Sequence, residues 1–113
     1  MLQRTKRILD REMPIVVPSG SCAAMLREGA HIIGEPSFQN RVYELSEFLR
    51  DAVQIEEWPS LKEERRVGVH KSCHGRMIGI SGAQEQVLAK VPNLTTIPFG
   101  DPDQCCGFGG AFS

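Results

Sequence analysis

Two adjacent cysteines open the segment Cys105-Cys-Gly-Phe-Gly-Gly-Ala-Phe-Ser113, and a third, Cys73, stands upstream in His70-Lys-Ser-Cys-His74. Neighbouring cysteines cannot both point into one apolar core, and a disulfide between them strains the intervening peptide. Two thiolates side by side suit a metal cluster instead. Gly107, Gly109 and Gly110 then acquire a reason, because residues without a Cβ let backbone N–H groups curve around an anionic, sulfur-rich centre. The competing reading is a flexible tail with two incidental cysteines. A zinc site is a further competitor, since His70, Cys73, His74, Cys105 and Cys106 offer both nitrogen and sulfur donors, but the usual Cys-x-x-Cys knuckle is missing.

The elements that must position these residues follow from hydrophobic spacing. Residues 1–12 carry Leu2, Ile8 and Leu9 on one face of an amphipathic helix, which Pro14 ends. Ile15-Val16-Val17 reads as a short buried strand, and Pro18 to Ser21 as a turn into a helix over Cys22–Ile33, with Ser19 or Ser21 as its cap. That places Cys22 in the first turn, where the helix dipole favours a thiolate; a buried, inert cysteine is the alternative. Val42, Leu45, Phe48, Leu49 and Ala52 recur at three and four, predicting a second helix over Ser37–Val53 with that stripe in the core. Residues 56–66 form a polar linker in which Trp58, before Pro59, is expected to pack a loop against the body or to offer an interaction surface. A strand starting at Val67 delivers His70, Cys73 and His74 at its carboxyl end, the edge where ligand sites collect in open α/β folds. A helix over Ser81–Val91 and a strand over Leu94–Phe99 follow. The expected class is α/β: a small, incomplete three-layer sheet of mainly parallel strands with flanking helices.

Composition narrows the function classes. The chain has 113 residues, 41% of them hydrophobic and 24% charged, as in an ordinary globular domain. Thirteen basic against fourteen acidic residues leave no electrostatic footprint for nucleic acid, and Lys62-Glu-Glu-Arg-Arg66 mixes signs as a solvated segment does. No apolar run approaches the roughly 20 residues of a membrane span. Charges at Asp10, Arg11 and Glu12 interrupt the start where a secretory signal would be apolar, which leads us to expect a cytoplasmic, reducing compartment. Gly107 to Gly110 is no phosphate loop, since the following Lys-Ser/Thr is missing.

Pro18-Ser-Gly-Ser-Cys22, Tyr43-Glu-Leu-Ser-Glu-Phe-Leu49, His70-Lys-Ser-Cys-His74 and Cys105-Cys-Gly-Phe-Gly-Gly-Ala-Phe-Ser113 together resemble consecutive blocks of the cysteine-rich CCG-domain iron-sulfur proteins, a family with members in lactate oxidation, glycolate oxidase and heterodisulfide reductase. Such proteins carry two repeats, each with one cysteine, a later Cys-Cys-Gly and a closing cysteine segment. The resemblance implies that 1–55 is the end of a first repeat, 56–66 a linker and 67–113 the start of a second. It further implies that Cys73, Cys105 and Cys106 ligate one [4Fe–4S]-type cluster with Gly107 beside it, and that Cys22, set apart from them, belongs to another. Remaining ligands would fall before Met1 and after Ser113, so the ligand set within the chain is incomplete and iron is expected to be held poorly. His70, His74 and Arg76 would hydrogen-bond to cluster sulfur or offset its charge. The function implied is electron transfer within a multi-subunit oxidation of L-lactate to pyruvate, beside a ferredoxin-like iron-sulfur subunit and another companion. Readings from other classes are a metal-free interaction module that keeps the fold and a small zinc-binding domain.

Overall fold

The computed structural model describes residues 2–9, 11–80, 82–101, 104 and 107. Helix α1 (Leu2–Leu9) leads to strand β1 (Ile15–Val17), and α2 (Gly20–Ile32) and α3 (Pro36–Gln39) carry the chain over to β2 (Val42–Glu44). A short α4 (Leu45–Glu47) widens into a π-helical turn over Phe48–Ala52. The second half runs β3 (Arg65–Gly68), α5 (Cys73–Met77), α6 (Ala83–Leu88) and β4 (Leu94–Ile97). The class is α/β and the strands are parallel, as the sequence implies, but they form two separate pairs: β1 with β2, Ile15 opposite Val42, and β3 with β4, Arg65 opposite Leu94.

Helix α2 can sit close to the first sheet because its inward face is mostly small. Ala23, Leu26 and Ala30 recur at helical spacing and pack with Phe38 and Val42 into the core, flanked by Leu9, Ile15, Val17 and Ile78. Gly34, at φ +69°, reverses the chain after α2, and the Glu35 N–H reaches back to the Ala30 carbonyl at 2.8 Å. Pro36, with its fixed φ and no donor to lose, starts α3.

The continuous helix expected over Ser37–Val53 is not formed. Residues 42–44 leave helical geometry to pair with β1, burying Val42 and Glu44 on one side while Tyr43 alternates to the other. The Glu44 carboxylate then caps α4, accepting from the Ser46 and Glu47 N–H groups. Consequently the stripe read as core is mostly not: Val42 is fully buried, Phe48 and Leu49 are half-buried, and Leu45 and Ala52 are exposed.

Arg27 ties this region together. Its guanidinium donates from Nε (3.0 Å) and Nη2 (2.8 Å) to the Val42 carbonyl, and from Nη2 to Glu47 Oε1. Because β2 turns its residue-41 carbonyl toward β1, the Val42 carbonyl points to the open edge, and Arg27 occupies that edge.

Residues 53–64 lie along the far end of the second sheet rather than hanging free. The Leu61 N–H donates to Pro92 O, Lys90 Nζ to Ile55 O, and Asn93 Nδ2 to Leu61 O.

Candidate metal centre

Parallel pairing of β3 and β4 sets Gly68 opposite Ile97, so both strands release the chain at one edge. From there β3 leads through His70 to Cys73, and β4 leads through Phe99 to the segment carrying Cys105 and Cys106. Gly68 keeps the two exits close: a Cβ built there would lie 2.7 Å from Phe99 Cβ and 2.8 Å from Cγ, distances no side chain tolerates. The glycine thus lets the post-β4 segment cross directly over the end of β3.

Cys73 is the first residue of α5 and is exposed. Its turn is rigidly made. Ser72 caps the helix, its Oγ accepting from the Gly75 N–H at 3.0 Å, and Gly75 is buried, with room for nothing larger between Ser72 Oγ and Ile80. One turn on, Arg76 places Nη2 3.6 Å from Cys73 Sγ, so a guanidinium charge faces the sulfur. His74 is exposed on the same helix, and His70 is exposed in the loop after β3.

Cys22 occupies the first turn of α2, where the sequence sets it, and it is exposed rather than a buried, inert thiol. Ser19 is the cap residue by backbone geometry, but its hydroxyl pairs with Ser21 Oγ at 2.9 Å and caps nothing. The starts of α2 and α5 touch: a Cβ on Gly20 would meet Ser72 Oγ at 3.2 Å and the Gly75 nitrogen at 3.3 Å. Cys22 follows Gly20 by two residues, about 200° around the helix axis, so it leaves α2 on the side away from α5. The helix starts are neighbours, yet Cys22 and the Gly20 contact lie on different sides of α2.

Cys105 and Cys106 lie outside the described residues, as do Gly109 and Gly110, and with them falls the expected convergence of Cys73 on the Cys-Cys pair. Gly107 is described: it is exposed with φ +74°, a left-handed conformation natural to glycine. Among the described residues no three His, Cys, Asp or Glu side chains converge on one point.

Two features escaped the sequence reading. One is the Arg27–Glu47 pair with buried Glu44 behind it; the signal was a charged residue lying between Ala23 and Ala30 on the apolar face of α2. The other is an apolar cleft beside His70, walled in part by Trp58. Among the described residues no helix is long and apolar enough to cross a membrane.

Residues 67–113 match the sequence profile of a family described as CCG, cysteine-rich domain. Similarity to curated proteins runs further. Lactate utilization protein A of Geobacillus kaustophilus is 40% identical over 122 aligned residues, covering 100% of this chain and 50% of that protein. The protein of the same name from Anoxybacillus flavithermus is 38% identical over 116 residues, covering 95% and 48%, and that from Oceanobacillus iheyensis 36% over 122 residues, covering 100% and 49%. The chain therefore spans about half the length of these relatives. No solved structure matches it.

Proposed function

From the cysteine-rich CCG-domain match over residues 67–113 and the similarity along the chain to lactate utilization protein A, we propose that it is an iron-sulfur electron-transfer part of a cytoplasmic L-lactate-oxidising complex. Cys73, Cys105 and Cys106 would hold one [4Fe–4S]-type cluster, with the Gly107 backbone beside it, and Cys22 would serve a second. The domain division proposed is 1–55 for the end of one repeat, 56–66 for the linker and 67–113 for the start of the next. Partners would be the other subunits of the complex, among them a ferredoxin-like one.

The observation that carries this reading is the shared exit edge of β3 and β4. Both strands release the chain there, β3 toward Cys73 and β4 toward the Cys-Cys segment in sequence, and Gly68 leaves room for Phe99. The donor chemistry fits as well. Cys73 is exposed, sits at a helix start and faces a guanidinium, so its sulfur is open to a metal and has positive charge beside it.

The cluster, when bound, would supply one-electron redox chemistry. The chain's own residues fix its surroundings. Ser72 and Gly75 hold the Cys73 turn in one geometry, so the sulfur is preorganised. Arg76 brings positive charge to that sulfur, which favours the more negative, reduced state and raises the potential. His70 and His74, both exposed near the turn, are proposed to donate hydrogen bonds toward cluster sulfur.

Anaerobic reconstitution with iron and sulfide tests the assignment. The parent chain should capture only a labile, oxygen-sensitive cluster, seen anaerobically as broad absorbance at about 400 nm with substoichiometric iron and acid-labile sulfide. Cys73→Ser, Cys105→Ser and Cys106→Ser should each lose most of both. Iron content unchanged across all three substitutions would refute the shared site, and stoichiometric zinc in place of iron would refute the cofactor.

A further inference from the structure

Between the α4 region, α6 and the carboxyl end of β3 lies a cleft of about 510 Å³. Its walls are apolar, formed largely by Leu49, Val87, Leu88 and the half-buried Trp58, while His70 and Gln84 supply polar groups. The volume is that of a small-molecule site, and its place at the carboxyl end of a parallel strand is where such sites gather. Among the described residues no Lys, Arg, Asp or Glu side chain lines it, so a charged ligand would lose its hydration there without gaining a counter-ion.

The Trp58 indole Nε1–H is sealed from solvent and has no hydrogen-bond partner, the one buried side-chain nitrogen or oxygen among the described residues in that position. A buried donor without an acceptor is costly, and nothing anchors the indole by its polar atom. An acceptor entering the cleft at the edge of the ring would supply the missing bond.

We infer that this cleft binds a planar, uncharged aromatic molecule carrying a carbonyl oxygen, packed on the apolar walls and accepting from the Trp58 indole N–H. The apolar walls select the ring, the missing side-chain charges exclude ions, and the unsatisfied donor selects the carbonyl. This inference goes beyond the electron-transfer reading and requires no iron.

The test uses the full chain without metal and two probes of the same shape, 9-fluorenone and fluorene, which differ by the carbonyl oxygen and do not add to exposed thiols. Trp58 is the only tryptophan, so its fluorescence reports occupancy directly, and methyl resonances of Leu49, Val87 and Leu88 locate the ligand. Fluorenone should quench Trp58 saturably, shift those methyls, and bind roughly five- to tenfold tighter than fluorene, the worth of one recovered hydrogen bond. In Trp58→Phe, followed by the methyl shifts, that preference should fall to parity while fluorene binds within about twofold of its parent affinity. Equal affinity of the parent for the two probes, no saturation, or shifts confined to other residues would overturn the inference. Should Trp58→Phe fail to fold, the fluorenone-to-fluorene ratio in the unaltered chain decides it alone.

Discussion

Removing the Arg27 head group should be among the most damaging single substitutions in the first half of the chain. Arg27→Met keeps the aliphatic stem that passes over the core but deletes three hydrogen bonds, two to the Val42 carbonyl and one to Glu47. Glu47 is left as a carboxylate whose side chain is only 11% exposed, with Glu44 also buried nearby. Stranding one member of a fully buried pair costs about 3–5 kcal/mol, and the residual exposure here argues for the lower end or less, about 2 kcal/mol. The unsatisfied Val42 carbonyl adds about 1 kcal/mol. A total near 3 kcal/mol should lower Tm by roughly 10–15 °C for a chain of this size. Urea unfolding followed by far-ultraviolet circular dichroism and by Trp58 fluorescence measures it. The double variant Arg27→Met, Glu47→Leu removes the stranded charge and should recover more than half of the loss. An Arg27→Met chain within 0.5 kcal/mol of the parent, or a double variant no better than the single, would show that the pair is not buried and coupled as described.

Three further outcomes are expected. The Arg50 hydrogen bond, outweighing slight burial, holds the Asp51 carboxyl below its ordinary value, so its contribution to stability is present above the unfolded value of about 4 and lost as pH falls through the folded value. Asp51 is nearly half exposed, so Asp51→Asn should cost no more than about 0.5 kcal/mol at neutral pH, and that cost should shrink as pH falls through the lowered value of the carboxyl, a trend that denaturation at neutral and acid pH resolves. Arg76→Gln should lower the midpoint potential of a reconstituted cluster by roughly 30–100 mV in a redox titration, since it withdraws positive charge from Cys73 Sγ; an unchanged or raised potential contradicts the role given to Arg76. Gly68→Ala must displace Phe99 at its Cβ, so it should cost about 1–3 kcal/mol and reduce iron captured on reconstitution; iron capture at the parent level would mean that the crossing does not position the site.

Local chemistry made much of the frame legible. Ile15-Val16-Val17 bounded by prolines reads as a strand and is one, and the glycine, serine and small residues after it read as a helix start. Cys22 falls in the first turn for that reason. Where the reading failed, a distant partner outweighed a local period. Val42, Leu45, Phe48 and Leu49 have helical spacing, but Val42-Tyr43-Glu44 gains more from pairing with β1, and only Asn40 and the β-prone Val-Tyr hinted at the break. Helix α5 was equally hidden: its five residues are too few to show a period, and Ser72 as cap was the available signal. The apolar cleft had no signature at all, because its walls come from four stretches distant in sequence.

Each strand pair closes within its own half of the chain, β1 with β2 around the crossover of α2 and α3, and β3 with β4 around that of α5 and α6. Among the described residues no backbone ladder joins the two halves across residues 53–64. Contact between the halves is left to helix packing, α2 on α5 and α4 on α6, with Gly20 seated against Ser72 and Gly75. The two ladders can therefore nucleate independently, each waiting only for its own loop to close, and docking of the helices is the later event. Amide exchange should consequently open the molecule in two cooperative steps, one per ladder, with the Gly20 contact as the seam along which they part.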